Sequence, residues 1–198
     1  MQMRSMVRFG MNAVFLHDGI YLSEAGVQLI PGEIDLCCGD DSVLAPLFRT
    51  FADACRTQNL PLCTQTLLCM LGLGQGLTPS ADDRILGFIY AFVRAEPTGV
   101  FKTELCRIIS ELSRERTGAI SHTYLNAVCE NKEFQLLQNL YESILQKRDL
   151  RADIYRLTGV GNTSGKEMVK GMLLYFGTVH HQKISMEDIY LKYQEGTI

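Results

Sequence analysis

No stretch of this 198-residue chain is apolar over anything near the length of a bilayer span, which excludes a membrane-crossing helix. There is no Cys-x-x-Cys, and His17, His122, His180 and His181 do not fall among the cysteines at zinc spacing. No Gly-x-Ser-x-Gly occurs, and no histidine is placed to partner a nucleophilic serine; His122, directly after Ser121, reads as the neighbour of a helix cap. A net charge of −3 gives no global attraction to nucleic acid or to an anionic membrane. Met1 to Arg8 carry charge with no apolar run behind them, so no secretory signal is expected.

Against these absences stands an ordinary globular composition, 46% hydrophobic and 21% charged, enough for one sizeable domain with a small appendage. The seven cysteines (Cys37, Cys38, Cys55, Cys63, Cys69, Cys106 and Cys129) are odd in number and irregular in spacing. Several fall inside apolar helical runs. That pattern predicts reduced thiols in a cytoplasmic protein, most of them serving as small buried hydrophobes.

The first 41 residues differ from the rest. Val14-Phe15-Leu16 and Ile20-Tyr21-Leu22 flank His17-Asp18-Gly19, and strand-like runs follow at 27–30 and 33–37, so residues 1–41 read as a small β-rich element. From 42 to 198 the spacing turns helical. Leu44, Leu47, Phe48, Phe51 and Cys55 open a series of about eight helices that closes with one begun at Ser185. The expected class is mainly α with a small N-terminal β element, α+β overall. Ser80 to about Arg94 carries the run Ile85–Val93 and reads as the central buried helix.

That helix follows a loop with three glycines, Gly72-Leu73-Gly74-Gln75-Gly76, and then Leu77-Thr78-Pro79. Ser80 with Asp83 has the spacing of a capping box, and a helix start is an anion site through its free N–H groups and dipole. The device recurs without gaps: Ser164-Gly165-Lys166-Glu167-Met168-Val169-Lys170-Gly171-Met172 aligns on Ser80-Ala81-Asp82-Asp83-Arg84-Ile85-Leu86-Gly87-Phe88, again behind a glycine loop at 159–163. Neither copy is a nucleotide fingerprint. Gly165-Lys166 lacks P-loop spacing and the following hydroxyl, and Gly72–Gly76 has a helix rather than a strand in front. The pair predicts one shared anion site, with Gly74, Gly76, Gly161 and Gly165 as backbone donors and Thr78, Ser80, Thr163 and Ser164 as hydroxyls. Asp82 and Asp83 are the catalytic candidates: the box needs only one carboxylate, so Asp82 is free to orient a substrate amide, take a proton or hold Mg²⁺, with no metal site assigned outright. Arg116 is the candidate anion partner from the next loop.

Residues 72–87 resemble the signature of the AllH-type subunit of oxamate carbamoyltransferase. Two further blocks agree, Arg116-Thr117-Gly118-Ala119-Ile120-Ser121 and Gly161-Asn162-Thr163-Ser164-Gly165, so the likeness runs in order over roughly 45–178. Ala81 stands where the family usually has glycine, and the N-terminal portion is shorter than is typical. The resemblance implies a place in anaerobic allantoin breakdown, where oxalurate and phosphate give oxamate and carbamoyl phosphate. It also implies other carbamoyltransferase subunits as partners, and adds Thr117 and Ser121 to the candidate binding residues. The expected ligand is phosphate, carbamoyl phosphate or a dicarbonyl acid, with a homo-oligomer compatible. The rival expectation is a non-catalytic scaffolding subunit whose glycine loops only pack helices or dock catalytic partners.

Overall fold

The computed structural model describes residues 6–9, 13–16, 19–22 and 41–179, with backbone alone at 41–43 and in the first three stretches. Those stretches, β1 (Met6–Phe9), β2 (Ala13–Leu16) and β3 (Gly19–Leu22), pair antiparallel in chain order. The rest is helix and short connection: α1 (Asp41–Arg56), α2 (Leu60–Met70), α3 (Ser80–Ala95), α4 (Val100–Arg116), α5 (Ala119–Cys129), α6 (Gln135–Leu145), α7 (Arg151–Thr158) and α8 (Ser164–Thr178).

The expected α+β class is therefore corrected. Residues 41–179 are helical throughout their regular structure and contain no strand, so the fold they show is all-α. Class is decided by what packs the core, and the described core, from Leu44 to Phe176, belongs to helices and their connections. An Asp-Gly turn signal fixes local pairing only; it does not create a sheet layer against helices. The strand runs expected at 27–30 and 33–37, the turn at His17-Asp18, Cys37, Cys38 and the helix expected from Ser185 lie outside the described residues.

α3 is the axis of the body. All thirteen residues from Ala81 to Val93 are buried, because the apolar run leaves no polar stripe for solvent. Its closest partner is α8, and the two run in the same direction: Thr78 meets Ser164 at their starts, and the Tyr175 hydroxyl donates to Glu96 Oε1 (2.7 Å) at their ends. Two glycines permit the approach. A Cβ on Gly87 would sit 1.9 Å from the Met168 carbonyl oxygen, and one on Gly171 would sit 2.0 Å from that of Arg84. These two contacts exchange equivalent positions of the internal echo, so the helix pair packs with approximate two-fold symmetry. Phe51, Phe88 and Tyr175 stack beside the crossing with centroids 5.2 and 5.6 Å apart. Rings so placed attract beyond their burial.

The C-terminal end of α3 is capped by a cation. Lys102 Nζ donates to the carbonyls of Val93 and Glu96, the latter at 3.0 Å, where the dipole is negative. α5 and α8 flank α3, while α2 joins α1 to α4. This frame holds the starts of α3 and α8 side by side.

Candidate functional site

The starts of α3 and α8 open onto one cleft of about 1030 Å³. Of the residues expected at a site, Gly74, Gly76, Thr78, Ser80, Asp83, Gly161, Thr163 and Ser164 line it. Two of the lining hydroxyls, Thr78 Oγ1 and Ser164 Oγ, lie 3.0 Å apart although 86 positions separate them in sequence. Gly74, Gly76 and Gly161 hold φ of +125°, +97° and +61°, a backbone region closed to most side chains, so the loops can fold back over the helix starts.

Neither start is the capping box the sequence suggests. Pro79 is the N-cap of α3 and Thr163 that of α8, and neither start has a side-chain cap bond. Ser80 and Ser164 occupy the first helical position instead; both line the cleft, and the Ser164 hydroxyl meets that of Thr78. Part of the backbone donor set is also spent internally. Ala81 N–H goes to the Leu73 carbonyl (3.1 Å) and Gly165 N–H to that of Val160 (3.0 Å). Gly165 is a packing glycine, since a Cβ there would fall 1.7 Å from the Leu157 carbonyl oxygen. Unlike the other expected glycine donors, it does not line the cleft.

The paired aspartates divide in the opposite sense to the sequence reading. Asp82 does not line the cleft. Its Oδ1 accepts the Gly72 N–H (2.8 Å) and its Oδ2 accepts the Thr117 hydroxyl, fastening the α2–α3 loop and the α4–α5 junction to α3. Burial pushes its carboxyl up, against the bonds from Gly72 and Thr117, which lower it. Asp83 faces the cleft. Burial raises it to about 6, against the Ser164 and Thr78 hydroxyls, with the charges of Asp82 and Glu167 adding to the rise. Its Oδ2 is buried and has no hydrogen-bond partner.

Thr117 thus belongs to the Asp82 fastening rather than to the cleft, Ser121 is buried with its Oγ unbonded, and Arg116 is exposed at the end of α4. Sequence reasoning missed Glu167, which lines the cleft at the echo position of Asp83. The gapless alignment contained that signal. Glu167 is 1% exposed and paired with two buried cations: Arg84 Nε donates to Oε2 (2.5 Å) and Lys170 Nζ to Oε1 (3.0 Å). The Arg84 guanidinium also lies 5.2 Å from the Phe48 ring centroid. The equivalent acids therefore differ in state, one clamped by cations and the other not.

The mouth of the cleft is apolar. Leu77 (81% exposed), Ile120 (43%) and Tyr124 (41%) stand around it. Among the described residues no group of three or more His, Cys, Asp or Glu side chains is gathered to hold a metal ion, and no helix is long and apolar enough to cross a membrane.

A family model described as oxamate carbamoyltransferase subunit AllH matches residues 70–176, over half of the chain and spanning both glycine loops. Comparison with curated proteins and with solved structures gave no match.

Proposed function

This chain belongs to the family of oxamate carbamoyltransferase subunits AllH, and from that premise we propose that its cleft binds the anionic substrate of a carbamoyl transfer. The observation that carries the reading is the 3.0 Å approach of Thr78 and Ser164, which brings two helix starts onto one small volume. Each start carries roughly half a positive charge, and parallel helices add these at the same end. A phosphate, carbamoyl phosphate or a dicarbonyl acid such as oxamate is small enough to touch both. Hydroxyls and N–H groups fixed in advance also stabilise charge that develops during acyl transfer, without reorganising for it.

In this reading Thr78, Ser80, Thr163 and Ser164 direct the anion, Asp83 meets the substrate's reacting end, and Asp82 keeps α3 in place. The reaction is the one the family name indicates, carbamoyl transfer between oxamate and phosphate chemistry, carried out with other carbamoyltransferase subunits. The apolar rim at Leu77, Ile120 and Tyr124 supports partner docking at the same mouth, since a subunit must cover apolar surface somewhere. The thiols of Cys55, Cys63, Cys69, Cys106 and Cys129, none in a disulfide, are in keeping with a cytoplasmic setting.

Thermal melting with inorganic phosphate, carbamoyl phosphate and oxamate tests this. A ligand that binds only the folded state at a hundred times its Kd stabilises by about 2.7 kcal/mol. The wild-type protein is expected to shift upward, and a Thr78→Val, Ser164→Ala double variant to lose that shift while remaining folded. A double variant that responds as the wild type does would sink the reading.

A further inference from the structure

The internal echo places two acids, Asp83 and Glu167, at equivalent points of the two helix starts, and both line the cleft. Their partners differ. Both Glu167 oxygens are held by Arg84 and Lys170, whereas Oδ2 of Asp83, a residue only 2% exposed, is buried without a hydrogen-bond partner. A buried carboxyl oxygen left without a donor is costly, and the cost disappears when a ligand supplies one. The Ser164 and Thr78 hydroxyls meet Asp83 but leave Oδ2 unpaired, so that oxygen serves no contact within the fold.

We propose that Asp83 is the specificity residue that accepts an N–H from the terminal amide of the substrate, while the helix starts hold its anionic end. The ligand class is a small acid carrying a primary amide or carbamoyl –NH₂. A cation is the poorer occupant, because two positive helix ends and the cations of Arg84 and Lys170 lie close by, and Glu167 is engaged with them. A methyl group in place of –NH₂ has the same size but leaves Asp83 Oδ2 as it is in the free protein. The anion alone therefore does not account for selectivity at this point.

The inference rests on the anion site proposed above, and its test separates the two. Oxamate and pyruvate differ only in –NH₂ against –CH₃, so calorimetric titration of the whole chain with each, and with inorganic phosphate, reads both ideas. Wild-type protein is expected to bind oxamate at least about tenfold more tightly than pyruvate, the consequence of one buried acceptor satisfied or not. Asp83→Ala is expected to bring the two ligands within roughly threefold of each other, and Asp83→Asn, which keeps a carbonyl acceptor, to retain part of the preference. Equal affinity of the wild type for oxamate and pyruvate, with phosphate still bound, overturns the role of Asp83 and leaves the anion site standing. An oxamate preference that survives in Asp83→Ala overturns it as well. Failure of the wild type to bind phosphate, oxamate or pyruvate overturns the anion site itself and this inference with it.

Discussion

Replacing Asp82 by alanine removes the acceptor on which two other segments of the chain depend. Its carboxylate is 1% exposed and takes the Gly72 N–H at 2.8 Å and the Thr117 hydroxyl on its other oxygen. Gly72 is held at φ +80°, with the Arg116 carbonyl oxygen 2.3 Å from where a Cβ would stand, so the loop has little freedom to find another partner. Each donor left unsatisfied costs about 1–3 kcal/mol. The buried carboxylate itself carries a desolvation cost that disappears with it, so the net loss is expected at roughly 2–4 kcal/mol. For a chain of this size that lowers the melting temperature by roughly 5–15 °C. Asp82→Asn keeps a carbonyl for Gly72 and turns an amide toward the Thr117 oxygen, so its loss is expected near 1 kcal/mol. Thermal and denaturant unfolding of both variants, with oxamate titration of the folded protein, decides the matter. An alanine variant that melts with the wild type yet no longer binds oxamate would refute the reasoning and move Asp82 into the ligand site.

Gly171→Ala drives a Cβ to within 2.0 Å of the Arg84 carbonyl oxygen, so α3 and α8 must separate; a loss of about 3 kcal/mol or more is expected in denaturant unfolding. Glu167→Ala leaves Arg84 and Lys170 buried without their shared carboxylate, and a loss of about 3–5 kcal/mol is expected, with Glu167→Gln intermediate in the same assay. Asp83 titrates higher in the folded chain, at about 6, than in the unfolded chain, at about 3.9. Between those values the folded state holds the proton that the unfolded state has released, so this group's contribution falls as pH rises from about 4 to 6 and is flat above. Asp83→Asn should remove that slope; an unchanged difference in unfolding free energy between pH 4 and pH 7 would contradict it.

The sequence and the structure agree best where the signal is local and long. Ile85–Val93 could only be a buried helix, and α3 is one. The echo at Ser164 carried more than a second helix start. Its two glycines, Gly87 and Gly171, are the points where the helix pair touches, so the alignment encoded the packing of α3 on α8 as well as the cleft. What it hid depends on rotation about the helix axis. Adjacent residues point about 100° apart, so Asp82 and Asp83 cannot both face the cleft, and which one does is set by how α3 beds into α5 and α8. The partners that settle it, Gly72 and Thr117, lie in other segments. Ser-x-x-Asp misled for a nearby reason, because Pro79 takes the cap position with extended backbone and pushes Ser80 into the first turn. The Asp-Gly signal near the N-terminus speaks only to the local pairing of β2 and β3 and carries no information on what packs the core, so it could not set the class.

The central claim is that two helix starts make one anion site, and locating an anion tests it most directly. Crystals of the whole chain soaked in selenate would show its position through anomalous scattering from selenium. The account predicts a single strong peak in the cleft, within hydrogen-bond distance of both Thr78 and Ser164. Crystals that diffract well and show no peak there, or show one only at a distant surface, would contradict it.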